Sequence, residues 1–113
     1  MTKRQEHTFF DALKDKGICI GALVLSRTGH DMGRIYIVCH TKESFLFLCD
    51  GDKKSLKDPK KKRRSHVVAL GYIEDPQNWL DTLLLSPIDQ QNASLRKKIR
   101  DFIEEQKQED KQK

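Results

Sequence analysis

Apolar and polar positions alternate in short blocks over the first part of the chain. Three apolar runs, Ile20 to Leu25, Ile35 to Cys39 and Phe45 to Cys49, are separated by polar breaks. The first two are rich in β-branched and aliphatic residues, which fit a pleated, half-buried surface. Between them lies Arg27-Thr-Gly29-His-Asp31-Met-Gly33, with two glycines where the backbone needs a positive φ or a close approach. Thr41-Lys-Glu-Ser44 separates the second run from the third, and Asp50-Gly51 closes the third with a dipeptide that favours a tight hairpin turn. The pattern predicts a β-meander. After it, Lys53-Lys-Ser-Leu-Lys57 reads as a fourth, exposed edge strand, because lysines on an edge discourage pairing with other chains. Asp58-Pro59 breaks that run. Lys60 to Arg64 is an unbroken run of cations, and its self-repulsion predicts a solvated loop or an extended lead-in to a strand. His66-Val-Val-Ala-Leu70 then supplies an apolar strand long enough to close a five-stranded barrel.

Helical periodicity flanks this block. Thr8-Phe-Phe-Asp-Ala-Leu-Lys-Asp-Lys-Gly17 has an N-cap candidate in Thr8, apolar Phe9, Phe10 and Leu13, and a stop at Gly17, predicting a short N-terminal helix that lies over an open end of the barrel. After Gly71 the chain turns leucine-rich. Asp75-Pro76 and Ser86-Pro87 are two helix starts, followed by apolar stripes at Trp79, Leu80, Leu83, Leu84 and at Leu95, Ile99, Phe102, Ile103. The second stripe ends near Gln106. The expected organisation is a helical segment over 1–17, a β domain over 18–73, a helical extension over 74–106 and a disordered tail over 107–113.

Composition adjusts this picture in three ways. At 113 residues one small core is feasible, burying ~65% of the unfolded surface, while 35% charged residues and a mean hydropathy of -0.72 mark a large solvated part. No apolar run approaches the ~20 residues of a membrane-spanning helix, and no hydrophobic signal region follows the charged start, so a soluble, cytoplasmic protein with no membrane partner is expected. The net charge of +5 is unevenly spread. Lys53, Lys54, Lys57, Lys60, Lys61, Lys62, Arg63 and Arg64 face a single acid, Asp58, whereas Glu74, Asp75, Asp81 and Asp89 occupy a stretch without lysine or arginine. Only the basic side meets phosphate favourably. Cys19, Cys39 and Cys49 are odd in number and lack metal-finger spacing, so they read as small buried hydrophobes.

A strand, then Gly29-His-Asp31-Met-Gly33-Arg34, then a second apolar strand resembles the KOW motif of ribosomal proteins and transcription elongation factors. Val24, Gly29, Asp31, Gly33 and Arg34 carry the match, supported by Asp50-Gly51-Asp52, Pro59-Lys60-Lys61-Lys62 and His66 in that order. Met32 stands where a lysine is common and Tyr36 where many members have a second glycine. The resemblance is to the KOW-type large-subunit ribosomal proteins and their small RNA-binding relatives, and it covers roughly Ile20 to Leu70. It implies a mainly β fold with an α appendage, a five-stranded SH3-like barrel whose glycine loop lies against RNA.

The expected function is therefore non-catalytic binding of structured, ribosomal RNA. Arg27, His30, Gly33 and Arg34 of the glycine loop would fit against the RNA surface, and Lys53, Lys54, Lys57, Lys60, Lys61, Lys62, Arg63 and Arg64 would neutralise phosphates. Replacing Lys60 to Arg64 by alanine is expected to leave the fold intact. Tyr36 and Phe45 read as core in preference to stacking platforms. No nucleophile elbow, phosphate-cradling loop or metal-binding helix motif is present, so neither catalysis nor a cofactor or metal is expected. Asp50 and Asp52 flank a glycine turn and read as bonding their own backbone. A rival function is a protein-interaction module of the translation or transcription machinery, docking through Trp79, Leu83, Leu84, Leu95, Ile99 and Phe102. The simpler reading makes that stripe cover for the barrel.

Overall fold

The computed structural model describes residues 17–112; the expected N-terminal helix lies outside them. Strands β1 (Ala22–Ser26), β2 (Ile35–Lys42), β3 (Phe45–Cys49), β4 (Lys60–Arg63) and β5 (Val67–Tyr72) are followed by helices α1 (Pro76–Leu84) and α2 (Ile88–Gln112). All pairings are antiparallel, in the order β4-β3-β2-β1-β5. The meander stands as expected, with two corrections. Lys53 to Lys57 is loop, and the fourth strand is the cationic run itself. The second helix continues to Gln112, so 107–112 is helix where a disordered tail was expected; glutamine, lysine and glutamate are good helix formers, and Lys107 lies 4.0 Å from Glu104 one turn back.

The sheet is strongly curled. Its two edges, β4 and β5, are joined by a single 3-10 turn, Arg64–His66. Four interstrand spacings would set the edges of a flat sheet about 19 Å apart, yet the four residue steps from Arg63 to Val67 span at most about 14 Å. The strands must bend toward each other at that end. Hydrogen-bonded pairing nonetheless leaves β4 and β5 as edges, so among the described residues the sheet is open where closure was expected.

Alternation along β1, β2 and β3 sets buried apolar residues on both faces. The concave face gathers Ala22, Val24, Tyr36, Val38, Leu46, Leu48 and Val67 with Ile18; on the convex face Leu23, Ile37 and Cys49 meet Ile73, Leu83 and Leu95 from the helical side. The helices thus cover the sheet, as the simpler reading of their stripe held. Pro76 sits against Gly21 (φ +90°), Gly51 (φ +78°) against the backbone of Asn92 in α2, and Gly71 against Phe102. Neither expected side-chain cap forms: Asp75 takes a left-handed conformation without a capping bond, and Ser86 Oγ–H donates back to the Thr82 carbonyl. Leu95 is fully buried between helix and sheet. Leu95→Ala is expected to lower unfolding stability by about 2–5 kcal/mol, checked by urea denaturation; a loss under about 1 kcal/mol would mean α2 does not pack as described.

Candidate nucleic-acid interface

The glycine loop is folded around its aspartate. The Ser26 N–H donates to the Arg34 carbonyl at 3.0 Å and the Gly33 N–H to the Ser26 carbonyl at 2.9 Å, closing residues 27–33 onto the end of β1. Gly29 (φ +83°) and Gly33 (φ +92°) supply the left-handed turns. Inside, the Asp31 carboxylate accepts from Ser26 Oγ at 2.9 Å, from the Tyr36 hydroxyl at 2.9 Å and from Lys62 Nζ at 2.8 Å, with Lys60 Nζ 3.7 Å away. Burial alone would raise its pKa, but the hydrogen bonds from Lys62, Tyr36 and Ser26 outweigh it and hold the carboxyl well below the usual range. Burial and the bond to Asp31 push the Tyr36 hydroxyl up, so it remains a donor. Asp31 is the loop's anchor.

The cationic run forms a strand because alternation divides its charge between two faces, each with partners. Inward, Lys62 is only 8% exposed, and it donates to Asp31 and to the Thr28 carbonyl at 2.9 Å. Outward, Lys61 Nζ and the Arg63 guanidinium lie 4.3 Å and 4.9 Å from the centre of the Phe45 ring. Arg64 begins the 3-10 turn and donates to the Glu43 and Ile18 carbonyls, both at 2.6 Å. The expectation that Lys60 to Arg64 can be replaced without harm is therefore corrected: Lys62 and Arg64 tie the loop, the β2–β3 turn and the start of the described chain to β4. Tyr36 is buried as expected, whereas Phe45 is half-buried under its cations.

The expected site residues divide three ways. Arg27, whose N–H donates to the His66 carbonyl at 2.8 Å, is brought beside Arg63 and Arg64 in a groove of about 1160 Å³ that also includes Glu43, Ser44 and Tyr72. His30 and Gly33 are exposed on the loop outside that groove's lining. Arg34 turns instead toward the β3–β4 loop, pairing with Asp50 at 2.9 Å and Asp52 at 3.7 Å. Asp50 is buried and accepts the N–H groups of Asp52, Lys53 and Lys54, each at 3.0 Å, the turn-bonding role expected of it. Burial opposes its ionisation, but these amides and Arg34 keep its pKa low. Lys53, Lys54 and Lys57 sit in the β3–β4 loop, at the opposite end of β4 from Arg63.

Sequence reasoning missed Tyr72, 59% exposed on the groove. Its signal was the continuation of the apolar run past Leu70 through Gly71 to an aromatic residue. Among the cysteines, only Cys49 is fully buried; Cys39 sits at a bulge in β2 and Cys19 is exposed. The Cys39 thiol and burial push the Cys49 thiol up, so Cys49 stays protonated. Among the described residues no helix is long and apolar enough to cross a membrane. Compared with known proteins, the chain matches no family model, and no curated protein resembles it closely enough in sequence to count as a relative.

Proposed function

We propose that this chain is a non-catalytic, cytoplasmic RNA-binding protein of the KOW type, built on an SH3-like barrel and directed at structured RNA such as ribosomal RNA. The observation that carries the reading is the meeting of Arg27 with Arg63 and Arg64 along one groove, since they come from two stretches that sequence reasoning had singled out separately. The curl of the sheet, the single turn between β4 and β5 and the glycine loop between β1 and β2 support the fold assignment. Of the expected contact residues, the exposed cations Arg27, Lys53, Lys57, Lys61 and Arg63 are able to displace condensed counterions from a phosphate backbone. The absence of any catalytic motif in the sequence supports a binding role.

The test is titration of the full chain with a fluorescent RNA stem-loop at several salt concentrations. Replacing Arg27, Lys61 and Arg63 together by glutamine, while keeping Lys62 and Arg64, is expected to weaken binding and to reduce the log-log salt slope by about 2–3, at about 0.7–0.9 per phosphate contact. Unchanged affinity and slope would sink the assignment. One observation favours the rival reading as a protein-docking module: Leu84, Leu85 (89% exposed) and Ile88 are bare at the α1–α2 junction. Most of the stripe first proposed for docking is otherwise engaged, with Leu83 and Leu95 buried and Trp79, Ile99 and Phe102 packed beside them.

A further inference from the structure

Register places two rows of side chains on the convex face, toward the β2–β3 turn. Lys42 is paired across the ladder with Phe45, and Phe45 with Arg63; His40 is paired with Phe47, and Phe47 with Lys61. Each row has an aromatic ring at its centre, a lysine or arginine on the β4 side and a lysine or histidine on the β2 side. Residues two apart on a strand share a face, so the rows lie side by side and form a column of two rings between two columns of cationic or imidazole groups. Lys61 and Arg63 already lean over Phe45, and the His40 and Phe47 ring centres are 5.3 Å apart at 42°. Beside Phe47 and His40 opens an apolar cleft of about 300 Å³ lined by Ile20, Cys39, Leu56 and Leu80.

The first helix borders the Phe47 row through Leu80 and Leu84 across that cleft, and among the described residues no helix residue lines it at the Phe45 row. Ile37 and Cys49, further along β2 and β3, cluster with Leu83 and Leu95, while Phe45 and Phe47 are only half-buried. Planar rings flanked by cations complement one ligand chemistry in particular: planar bases strung on an anionic backbone. The spacing selects the form of that polymer. Rows two residues apart are about 6.8 Å from each other, twice the ~3.4 Å rise per nucleotide of a helical strand. Stacked, paired bases cannot present their faces at that interval, whereas splayed, unpaired ones can.

We propose that Phe45 and Phe47, flanked by His40, Lys42, Lys61 and Arg63, form a stacking platform for an unpaired segment of RNA. This rests on the RNA-binding reading and specifies what feature of the RNA is held. Bases stack on Phe47 and on the Arg63 guanidinium that the Phe45 ring supports, Lys42 and Lys61 meet the phosphates, and the apolar cleft beside Phe47 has room for a base edge.

The test compares the full-length chain with its Phe45→Leu, Phe47→Leu variant, which keeps apolar cover over the sheet, using a labelled oligouridine and an RNA duplex of equal length. The wild type is expected to prefer oligouridine. The variant is expected to lose roughly ten-fold or more of that affinity per ring, with an unchanged salt slope and unchanged duplex binding, while Lys61→Gln with Arg63→Gln lowers the slope for oligouridine. A melting temperature equal to wild type in the leucine variant confirms that the loss is one of contact. Variant affinity within two-fold of wild type, or equal wild-type affinity for duplex and oligouridine, overturns the platform while leaving RNA binding in place. Binding of neither probe by the wild type overturns both.

Discussion

Asp31→Asn is expected to destabilise the protein by about 3–5 kcal/mol, because it leaves the Lys62 ammonium buried without a counter-charge. Both side chains are nearly inaccessible, and Lys62 Nζ lies 2.8 Å from the carboxylate. The reverse substitution, Lys62→Met, should cost less, about 1–3 kcal/mol, since Asp31 keeps the Tyr36 and Ser26 donors and has Lys60 Nζ 3.7 Å away. The pH dependence gives an independent check. The folded-state pKa of Asp31 is depressed, so its contribution is fully present above the unfolded value of about 4 and is lost as pH falls from there through the folded value. Asp50 is shifted the same way and adds to the same acid limb. Urea denaturation between pH 6 and pH 3 should show wild-type stability falling below about pH 4, with a shallower fall in Asp31→Asn. Identical pH profiles would show that the aspartate does not anchor the loop.

Gly51→Ala is expected to cost about 3–5 kcal/mol, combining the left-handed strain of a non-glycine residue with overpacking against an immovable neighbour. Gly51 has φ +78°, and an added Cβ would fall on the backbone carbonyl of Asn92 and within 3.0 Å of the Leu95 Cβ. Nothing flexible can yield there. The Gly51 carbonyl also accepts from Arg96 Nη1 at 2.6 Å, so moving the turn breaks a second link to α2. At about 4–8 °C per kcal/mol, the melting temperature should fall by more than about 10 °C. Gly33→Ala is the control: its φ is +92°, but nothing lies within 4 Å of an added Cβ, so only the backbone strain of about 1–2 kcal/mol applies. Equal losses at the two positions would mean that α2 does not bear on the β3–β4 turn. Retained RNA binding in Gly33→Ala would place the contact on side chains of the loop and β4, with the glycine serving the turn.

The places where the sequence misled are physically related. Lys60 to Arg64 reads locally as mutual repulsion, which favours a loop. What makes it a strand is Asp31, far away in the chain, together with the Phe45 ring on the opposite face, and neither partner is visible in the run itself. Lys53 to Lys57 has the complementary fate: its local pattern suits an edge strand, but the Asp50 carboxylate captures the amides of Asp52, Lys53 and Lys54 and holds that segment in a turn. Arg34, matched to the glycine motif, was assigned to RNA because its acidic partners lie a full strand away. In each case a carboxylate held within the fold, Asp31 or Asp50, outweighs local composition.

Read alone, the sequence determined the β-meander, the glycine turns, the two helices with their apolar stripes, and the concentration of positive charge around β4. These follow from periodicity and backbone conformation, which are properties of neighbouring residues. Tertiary structure decided which cations remain on the surface, which are tied to Asp31 and Asp50, and which aromatic rings stay half-buried outside the core. Those outcomes depend on contacts between residues distant in sequence, where a buried ion pair or a covering helix changes a side chain's surroundings without leaving any mark in the local pattern.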